Sequence, residues 1–143
     1  MAFLVDSCIL IRQFDLGSPL RTVAISCLEA LLKEQAEIVI FPQIIVEFWS
    51  VVTRPLNVNG LGWSPSQADA AVRGIPSAIK LLPETQAIFT EWLSLVLKMG
   101  VSGKNVHDAR LVAAMNVYGI NRVLTFNEAD FRRYQNIVVV RPS

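Results

Sequence analysis

The sequence Phe3-Leu4-Val5-Asp6 places three apolar residues directly before a carboxylate. Such a run predicts a short buried β-strand with Asp6 at its carboxyl end. In open α/β sheets, ligands bind outside the carboxyl ends of the strands. This stretch therefore predicts both a class of fold and the edge of the sheet at which a site lies.

Three more apolar runs predict further strands at residues 37–41, 122–125 and 137–140. The stretch from Asp6 to Gly17 has no clear pattern and is predicted to be irregular, and Leu81-Leu82-Pro83 is too short to assign. Four strands that are apolar on both faces indicate a parallel sheet, and the helices between them would cover it on both sides. The predicted fold class is α/β.

Helical spacing and capping residues predict the segments between the strands. One helix is expected to start at Ser18-Pro19, another at Pro42, and a third at Ser64, where Ser64 and Gln67 form a capping-box pattern. Three later helices are predicted. The first ends at Gly100, the second runs from an Asn105 cap to Gly119, and the third is short and follows an Asn127 cap.

Length and composition define the class of protein. The 143 residues fit one domain, 1–143, and no run reaches the roughly 18 apolar residues of a membrane span, although 52% of residues are hydrophobic. The net charge of +1 gives no general attraction to nucleic acid. Cys8 and Cys27 have neither metal-site nor disulfide-framework spacing, and no signal peptide is recognisable, so we expect a cytoplasmic protein.

Three carboxylates occupy positions where the pattern calls for an apolar residue or a strand end. Asp6 ends a predicted strand, Glu47 lies on the apolar face of the helix that starts at Pro42, and Asp108 begins an apolar stripe near the amino end of a later helix. Carboxyl ends of parallel strands and amino ends of the helices beside them lie at one edge of the sheet. We therefore expect Asp6, Glu47 and Asp108 to meet.

Carboxylates held close together repel one another, and a bound cation relieves the repulsion. Oxygen ligands without a cysteine or histidine set favour Mg²⁺ or Mn²⁺, and such sites commonly hydrolyse phosphodiesters. Each acid also has a structural alternative: Asp6 could cap a helix, Asp108 could interact with a helix dipole, and Glu47 could pair with an arginine. Asp130, three residues after Asn127, is better explained as a helix-capping acid.

Four segments in order resemble the PIN-domain family, and most of all the VapC-type toxins of bacterial toxin–antitoxin pairs. They are Leu4-Val5-Asp6-Ser7, residues 42–48 (PQIIVEF), residues 107–113 (HDARLVA) and residues 124–131 (LTFNEADF). The resemblance implies a PIN-like α/β/α sandwich with a central parallel sheet. It also implies an endoribonuclease that depends on Mg²⁺ or Mn²⁺, acts on RNA, forms a homodimer and is inhibited by a small cognate antitoxin.

The family's acids fall on Asp6, Glu47 and Asp108. By this resemblance Asp6 and Asp108 bind the metal directly, and Glu47 is a ligand through water or orients the attacking water. Thr125, Asn127 and Asp130 are the supporting candidates. The likeness departs at Cys8, where the family usually has asparagine, and at Asn127, where it has a fourth acid.

These two departures motivate an alternative from another functional class, a catalytically weak PIN-like module that binds RNA or a protein. A receiver-like phospho-acceptor domain would need an acidic pair near the first strand and a later lysine, a set that the sequence lacks. Arg54 and Lys104 could border the site, although solvated surface is the favoured interpretation of both. His107 points away from Asp108 on its helix and is predicted to be exposed or to face the substrate.

Overall fold

Five short parallel strands form the centre of the computed structural model, which describes all residues from 1 to 143. The strands are β1 (Ala2–Val5), β2 (Glu37–Ile40), β3 (Ile79–Leu81), β4 (Arg122–Leu124) and β5 (Val138–Val140). Their order in the sheet is β3-β2-β1-β4-β5. The first strand is central, because Leu4 pairs with Val39 on one side and with Val123 on the other.

Six helices cover the sheet: α1 (Ser7–Phe14), α2 (Arg21–Lys33), α3 (Pro42–Val52), α4 (Pro65–Arg73), α5 (Gln86–Met99) and α6 (Asn105–Tyr118). Two short 3₁₀ helices span Leu56–Val58 and Glu128–Asp130. Helix α1 contacts α2 and α3, α3 contacts α4, and α5 packs along α6. Right-handed crossovers place α5 and α6 on the other face, because the chain there returns from β3 across the sheet to β4. The predicted α/β/α sandwich with a parallel sheet is confirmed.

The core lies where β1, β2 and β4 pack against helix α6. Leu4, Val5 and Val39 have no exposed surface, and in α6 the residues from Leu111 to Met115 are all buried. Fully burying one side chain of this kind contributes about 1.5–3 kcal/mol of transfer free energy. Helix α6 contributes six buried residues to the same cluster as the strands, and α5 packs along it. None of the helices has both the length and the apolar composition needed to cross a membrane.

The stretch after Asp6 is helical, so the prediction of an irregular segment there was wrong. Helix α1 starts directly after β1, and Asp6 is its N-cap, accepting a hydrogen bond from the Ser7 backbone N–H at 2.8 Å. Ile9, Leu10 and Ile11 are buried in the core. Tertiary packing therefore stabilises a short helix whose β-branched residues do not favour helix on their own.

The sheet has five strands where the sequence predicted four. The additional strand β3 has three residues, pairs only with β2 and lies at the edge of the sheet. Lys80 and Leu81 are exposed there. A short and half-exposed edge strand has no continuous apolar run, which is why its sequence gave no recognisable signal.

The ends of the helices agree with prediction in part. The capping box of α4 is confirmed, with both reciprocal hydrogen bonds between Ser64 and Gln67 present. Helix α2 starts at Arg21, later than predicted, because the Ser18 hydroxyl accepts from Leu20 N–H in a separate turn. Neither Asn105 nor Asn127 caps a helix with its side chain: α6 begins at Asn105 itself, and the segment after Asn127 is only a 3₁₀ turn.

Candidate active site

The site lies where the order of the strands reverses. From β1 the chain moves outward to β2 and β3 and then returns to β4 on the opposite side of β1. A crevice forms outside the carboxyl ends of the strands at such a point. Asp6 follows β1 and Thr125 follows β4, and the Asp6 backbone N–H donates to the Leu124 carbonyl at 3.0 Å. The sheet thus brings together two residues 119 positions apart.

Both oxygens of the Asp6 carboxylate are held in place. The Thr125 hydroxyl donates to Oδ2 at 2.7 Å, and the Ser7 N–H donates to Oδ1 at 2.8 Å. Asp6 is only 6% exposed, and this burial raises the pKa of its carboxyl group, while the hydrogen bonds from Thr125 and Ser7 lower it. The capping role considered for Asp6 is observed, but it occupies Oδ1 and leaves Oδ2 to the contact with β4.

Cys8 fills the place beside Asp6 where the related family usually has asparagine. Its Sγ lies 3.8 Å from Asp6 Oδ2 and 3.5 Å from Thr125 Oγ1, and it accepts from the Phe126 N–H at 3.4 Å. Burial and then the charge of Asp6 raise the pKa of the Cys8 thiol to about 11. The thiol is therefore neutral at physiological pH, and Thr125 and Ser7 make the stronger hydrogen bonds to Asp6.

Glu47 has a buried oxygen with no partner. Its Oε1 is inaccessible to solvent and has no hydrogen-bond partner, and none of the ion pairs involves it. Burial, followed by the charge of Asp6, raises the pKa of Glu47 to about 7, whereas the side chains of Gln43 and Ser7 lower it. The alternative of a structural salt bridge to arginine is thus wrong. A buried carboxylate oxygen without a partner is costly and therefore calls for a functional explanation.

Asp108 lies in the first turn of α6 and belongs to the same cluster. Burial, and then the charges of Asp130, Asp6 and Glu47, raise its pKa to about 7, while Lys104 lowers it. Asp130 also raises the pKa values of Asp6 and Glu47. Four carboxylates therefore influence one another, three of them the acids predicted to converge.

An open polar cleft of about 530 Å³, called the acid cleft below, is lined by Glu47, Asp108 and Asp130, whereas Asp6 is buried next to the lining residue Ser7 and does not itself line the cleft. The ionisable side chains that line it are Glu47, Arg54, Lys104, His107, Asp108 and Asp130. Arg54 and Lys104 form no ion pair, and both line this cleft. The sequence favours solvated surface for both, and the structure places them at the border of the cleft. His107 is exposed and faces the cleft. Asn127 is exposed and is not among the lining residues.

A hydrogen-bonded connection between α3 and α6 was not predicted. Gln43 Nε2 donates to the His107 carbonyl at 2.8 Å, and Arg110 Nη1 donates to Gln43 Oε1 at 2.8 Å. Arg110 also pairs with Glu84 at 2.7 Å. These contacts fix the helix that carries Glu47 against the helix that carries Asp108. The partners are 64 and 67 residues apart, so no local pattern could have identified them.

The residues of the acid cleft fit a hard divalent cation. The available donors are carboxylate oxygens, one of which is buried and unpartnered. No three or more His, Cys, Asp or Glu side chains stand at the spacing of a shared ion. Mg²⁺ usually keeps several waters and uses only one or two protein carboxylates, so it does not require a group of three.

A parallel sheet with acidic residues where its strand order reverses is an architecture of α/β proteins. Comparison with known families identifies which of them this chain belongs to. The PIN-domain family model matches residues 3–137, so this chain belongs to the PIN-domain family. No curated protein sequence matches the chain. The predicted family and fold are confirmed.

Solved structures with the same fold include toxins and toxin–antitoxin complexes. VapC20 of Mycobacterium tuberculosis, described as a sarcin–ricin loop cleaving toxin, has a TM-score of 0.70 at 15% identity, covering 98% of this chain and 99% of that one. VapBC2 of Rickettsia felis, bound to a promoter DNA fragment, has a TM-score of 0.73 at 14% identity with 100% coverage of both chains. A toxin–antitoxin complex from Klebsiella pneumoniae has a TM-score of 0.65 at 20% identity, covering 94% of this chain and 94% of that one. At these identities the likeness is one of fold.

Proposed function

We propose that this chain is an endoribonuclease that depends on Mg²⁺ or Mn²⁺ and is the toxin of a toxin–antitoxin pair. The observation that carries the proposal is the convergence of Asp6, Glu47 and Asp108 at the switch point, with one Glu47 oxygen buried and unpartnered. The similar fold of VapC20, described as a toxin that cleaves the sarcin–ricin loop, supports RNA as the substrate. The VapBC complexes with the same fold support a small antitoxin as the partner.

In this proposal Asp6 and Asp108 would hold the cation directly, and Glu47 would hold it through water or orient the attacking water. When bound, a divalent cation neutralises charge on the phosphate and acidifies water. Thr125 and the Ser7 N–H hold Asp6 in a fixed orientation, next to Ser7, which lines the cleft. Glu47 lines the cleft, and its carboxylate would accept a proton from the attacking water.

Of the supporting candidates, Thr125 holds Asp6 and Asp130 supplies further negative charge at the cleft. Asn127 lies off the cleft and contributes only its backbone N–H, which donates to Thr125 Oγ1 at 2.9 Å. Because Asn127 carries no charge and the charge of Asp130 acts on Asp108, we assign the fourth acidic position of the site to Asp130.

Cleavage of a labelled RNA by the purified protein tests this function. We expect cleavage that requires Mg²⁺ or Mn²⁺, is abolished by a chelator and is lost in Asp6→Asn. The matched control is Asp69→Asn, because Asp69 lies on α4 in an exposed ion pair with Arg73, away from the cleft. Equal cleavage by the wild type and Asp6→Asn would refute the site assignment.

The second candidate is a PIN-like module that binds RNA or a protein with little catalysis. It is favoured by the exposed position of Asn127 and by the absence of three acids at the spacing of a shared ion. Calorimetric titration with Mn²⁺ separates the two functions. Binding that disappears in Asp6→Asn and in Asp108→Asn supports the nuclease, and Mn²⁺ binding that is independent of these carboxylates supports the module.

The homodimer and the cytoplasmic location stay predictions. Sedimentation of the purified chain measures the former, and fractionation of cells that express it measures the latter.

A further inference from the structure

A second cleft lies beside the acid cleft and shares wall residues with it. It measures about 490 Å³, and Val51 and Arg54 line both clefts. Residues 59–61 of the loop after α3 form part of its far side, and Cys8 and Ile11 of α1 also line it. The two clefts therefore adjoin at the carboxyl end of α3, with Arg54 on the ridge between them.

The loop after α3 fixes the backbone at Arg54. The Gly62 N–H donates to the Arg54 carbonyl at 2.8 Å, and the Trp63 N–H donates to the Val52 carbonyl at 2.9 Å. A Cβ on Gly60 would overlap the carbonyl and the Cβ of Arg54, so only glycine allows the loop to approach so closely. The ridge is thus a built feature, from which an exposed arginine side chain emerges.

The second cleft has one positive charge without a partner, that of Arg54. Arg12 and Asp15 both line the cleft, but they form an ion pair with each other at 3.2 Å and largely cancel. Arg54 takes part in none of the ion pairs. It is therefore a free cation on the path that leads out of a cleft lined by carboxylates.

The remaining surface of the second cleft is mainly apolar. Ile11, Val51, Leu56 and Leu61 line it, and Asn59 offers a polar amide. Sites for single-stranded nucleic acid combine cations that follow the backbone with aromatic side chains on which bases stack, and in this cleft aliphatic side chains take the place of the aromatic ones. An arginine can also bind two phosphate oxygens at once, which gives it geometric specificity that lysine lacks.

We propose that the second cleft receives the continuation of a single-stranded RNA whose scissile phosphate lies in the acid cleft. Arg54 binds the phosphate at the ridge, and the apolar surface beyond it packs a base. This inference rests on the proposed ribonuclease function and extends it, because it gives the direction in which the RNA strand leaves the site and the side chain that holds it there.

Binding of fluorescein-labelled oligouridylate, measured by anisotropy against KCl concentration in an Asp6→Asn background, tests the proposal. Strands of about 4 and about 12 nucleotides distinguish one cleft from two. We expect Arg54→Gln to weaken binding of the longer strand about 3- to 10-fold and to reduce its salt slope by about 0.7, the value for one single-strand phosphate contact. Arg54→Lys should keep most of the salt slope, and Lys33→Gln, an exposed cation on α2 away from both clefts, should change nothing.

A second pair of variants tests the cleft without altering a cation. Asn59→Asp adds a negative charge to the second cleft at a left-handed position that aspartate tolerates, and Asn57→Asp adds the same charge to the same loop outside the cleft. We expect Asn59→Asp to weaken binding of the longer strand only, and Asn57→Asp to have a much smaller effect.

The inference is overturned if Arg54→Gln behaves like Lys33→Gln, if the two aspartate variants are equivalent, or if neither strand binds. Failure of the ribonuclease function is recognised separately, as RNA cleavage that does not depend on Asp6.

Discussion

Replacing Glu47 by glutamine should stabilise the metal-free protein at neutral and higher pH. The carboxyl group has a pKa of about 7 in the folded chain, compared with an ordinary value of 4.5. Between these values the folded state binds more protons than the unfolded state, so the free energy of unfolding falls as pH rises. Glutamine removes that dependence, because it carries no charge at any pH in the range.

The size of the effect follows from the same two pKa values. A tenfold difference in proton affinity corresponds to about 1.4 kcal/mol, which sets an upper limit of about 3 kcal/mol at about pH 8. The carboxyl group borders an open cleft, so solvent screens it and we expect about 1 kcal/mol. For a chain of this length that is an increase in Tm of about 3 °C.

Thermal unfolding in the presence of a chelator, at about pH 5 and about pH 8, measures the effect. The Glu47→Gln gain should be largest at the higher pH and only about a quarter as large at the lower one, where Glu47 is protonated in the folded state but already partly ionised in the unfolded state. Glu29→Gln is the control, because Glu29 is exposed on α2 and forms no ion pair. A gain of equal size at both pH values, or none at either, would refute an unpaired buried carboxylate at this position.

Three further predictions concern the same site. Thr125→Val should lower the free energy of unfolding, measured in urea, by about 2 kcal/mol, since it removes a hydroxyl hydrogen-bonded to Asp6. Thr125→Ser keeps the hydroxyl and should retain most of this free energy. Equal losses in the two variants would show that the hydroxyl is unimportant. Iodoacetamide should label Cys8 about 100-fold more slowly in the folded than in the unfolded chain at about pH 8, because the pKa of the thiol rises from 9.0 to about 11 on folding. Mass spectrometry measures the labelling, and rapid labelling of the folded chain would contradict this environment. Mn²⁺ should raise the Tm of the wild type near neutral pH, and should raise it less at about pH 5, where protons compete for the carboxylates. It should not raise the Tm of Asp6→Asn. An increase that is independent of pH in both proteins would place the ion elsewhere.

Most of the sheet could be predicted from sequence because its inner strands are buried on both faces. Residues such as Leu4, Val39 and Val123 have no exposed surface, so each strand appears as an unbroken apolar run. The edge strand β3 has no such run, because Lys80 and Leu81 face solvent. Helix α1 was missed for the opposite reason: its stability comes from packing against α2 and α3, which its own residues do not reveal.

The placing of the three acids near one another could be predicted because strand ends and helix starts are local features that a parallel sheet brings to one edge, and their role in a site stays a prediction. The groups that hold them could be predicted only in part. Thr125 directly follows a predicted strand, whereas Gln43 and Arg110 act through a contact between α3 and α6 that depends on how two helices pack. Arg54 likewise acquires its position from a loop that folds back over it, a geometry that no residue spacing specifies.

The hydrogen bond from Thr125 to Asp6 also determines when the site can exist during synthesis. It joins two residues 119 positions apart in the chain, and β4 must pair with β1 before it can form. A growing chain is made from its amino terminus, so Asp6 is made well before its partner Thr125. A nascent chain that ends before Arg122 therefore lacks both β4 and the hydrogen bond that holds Asp6 in position.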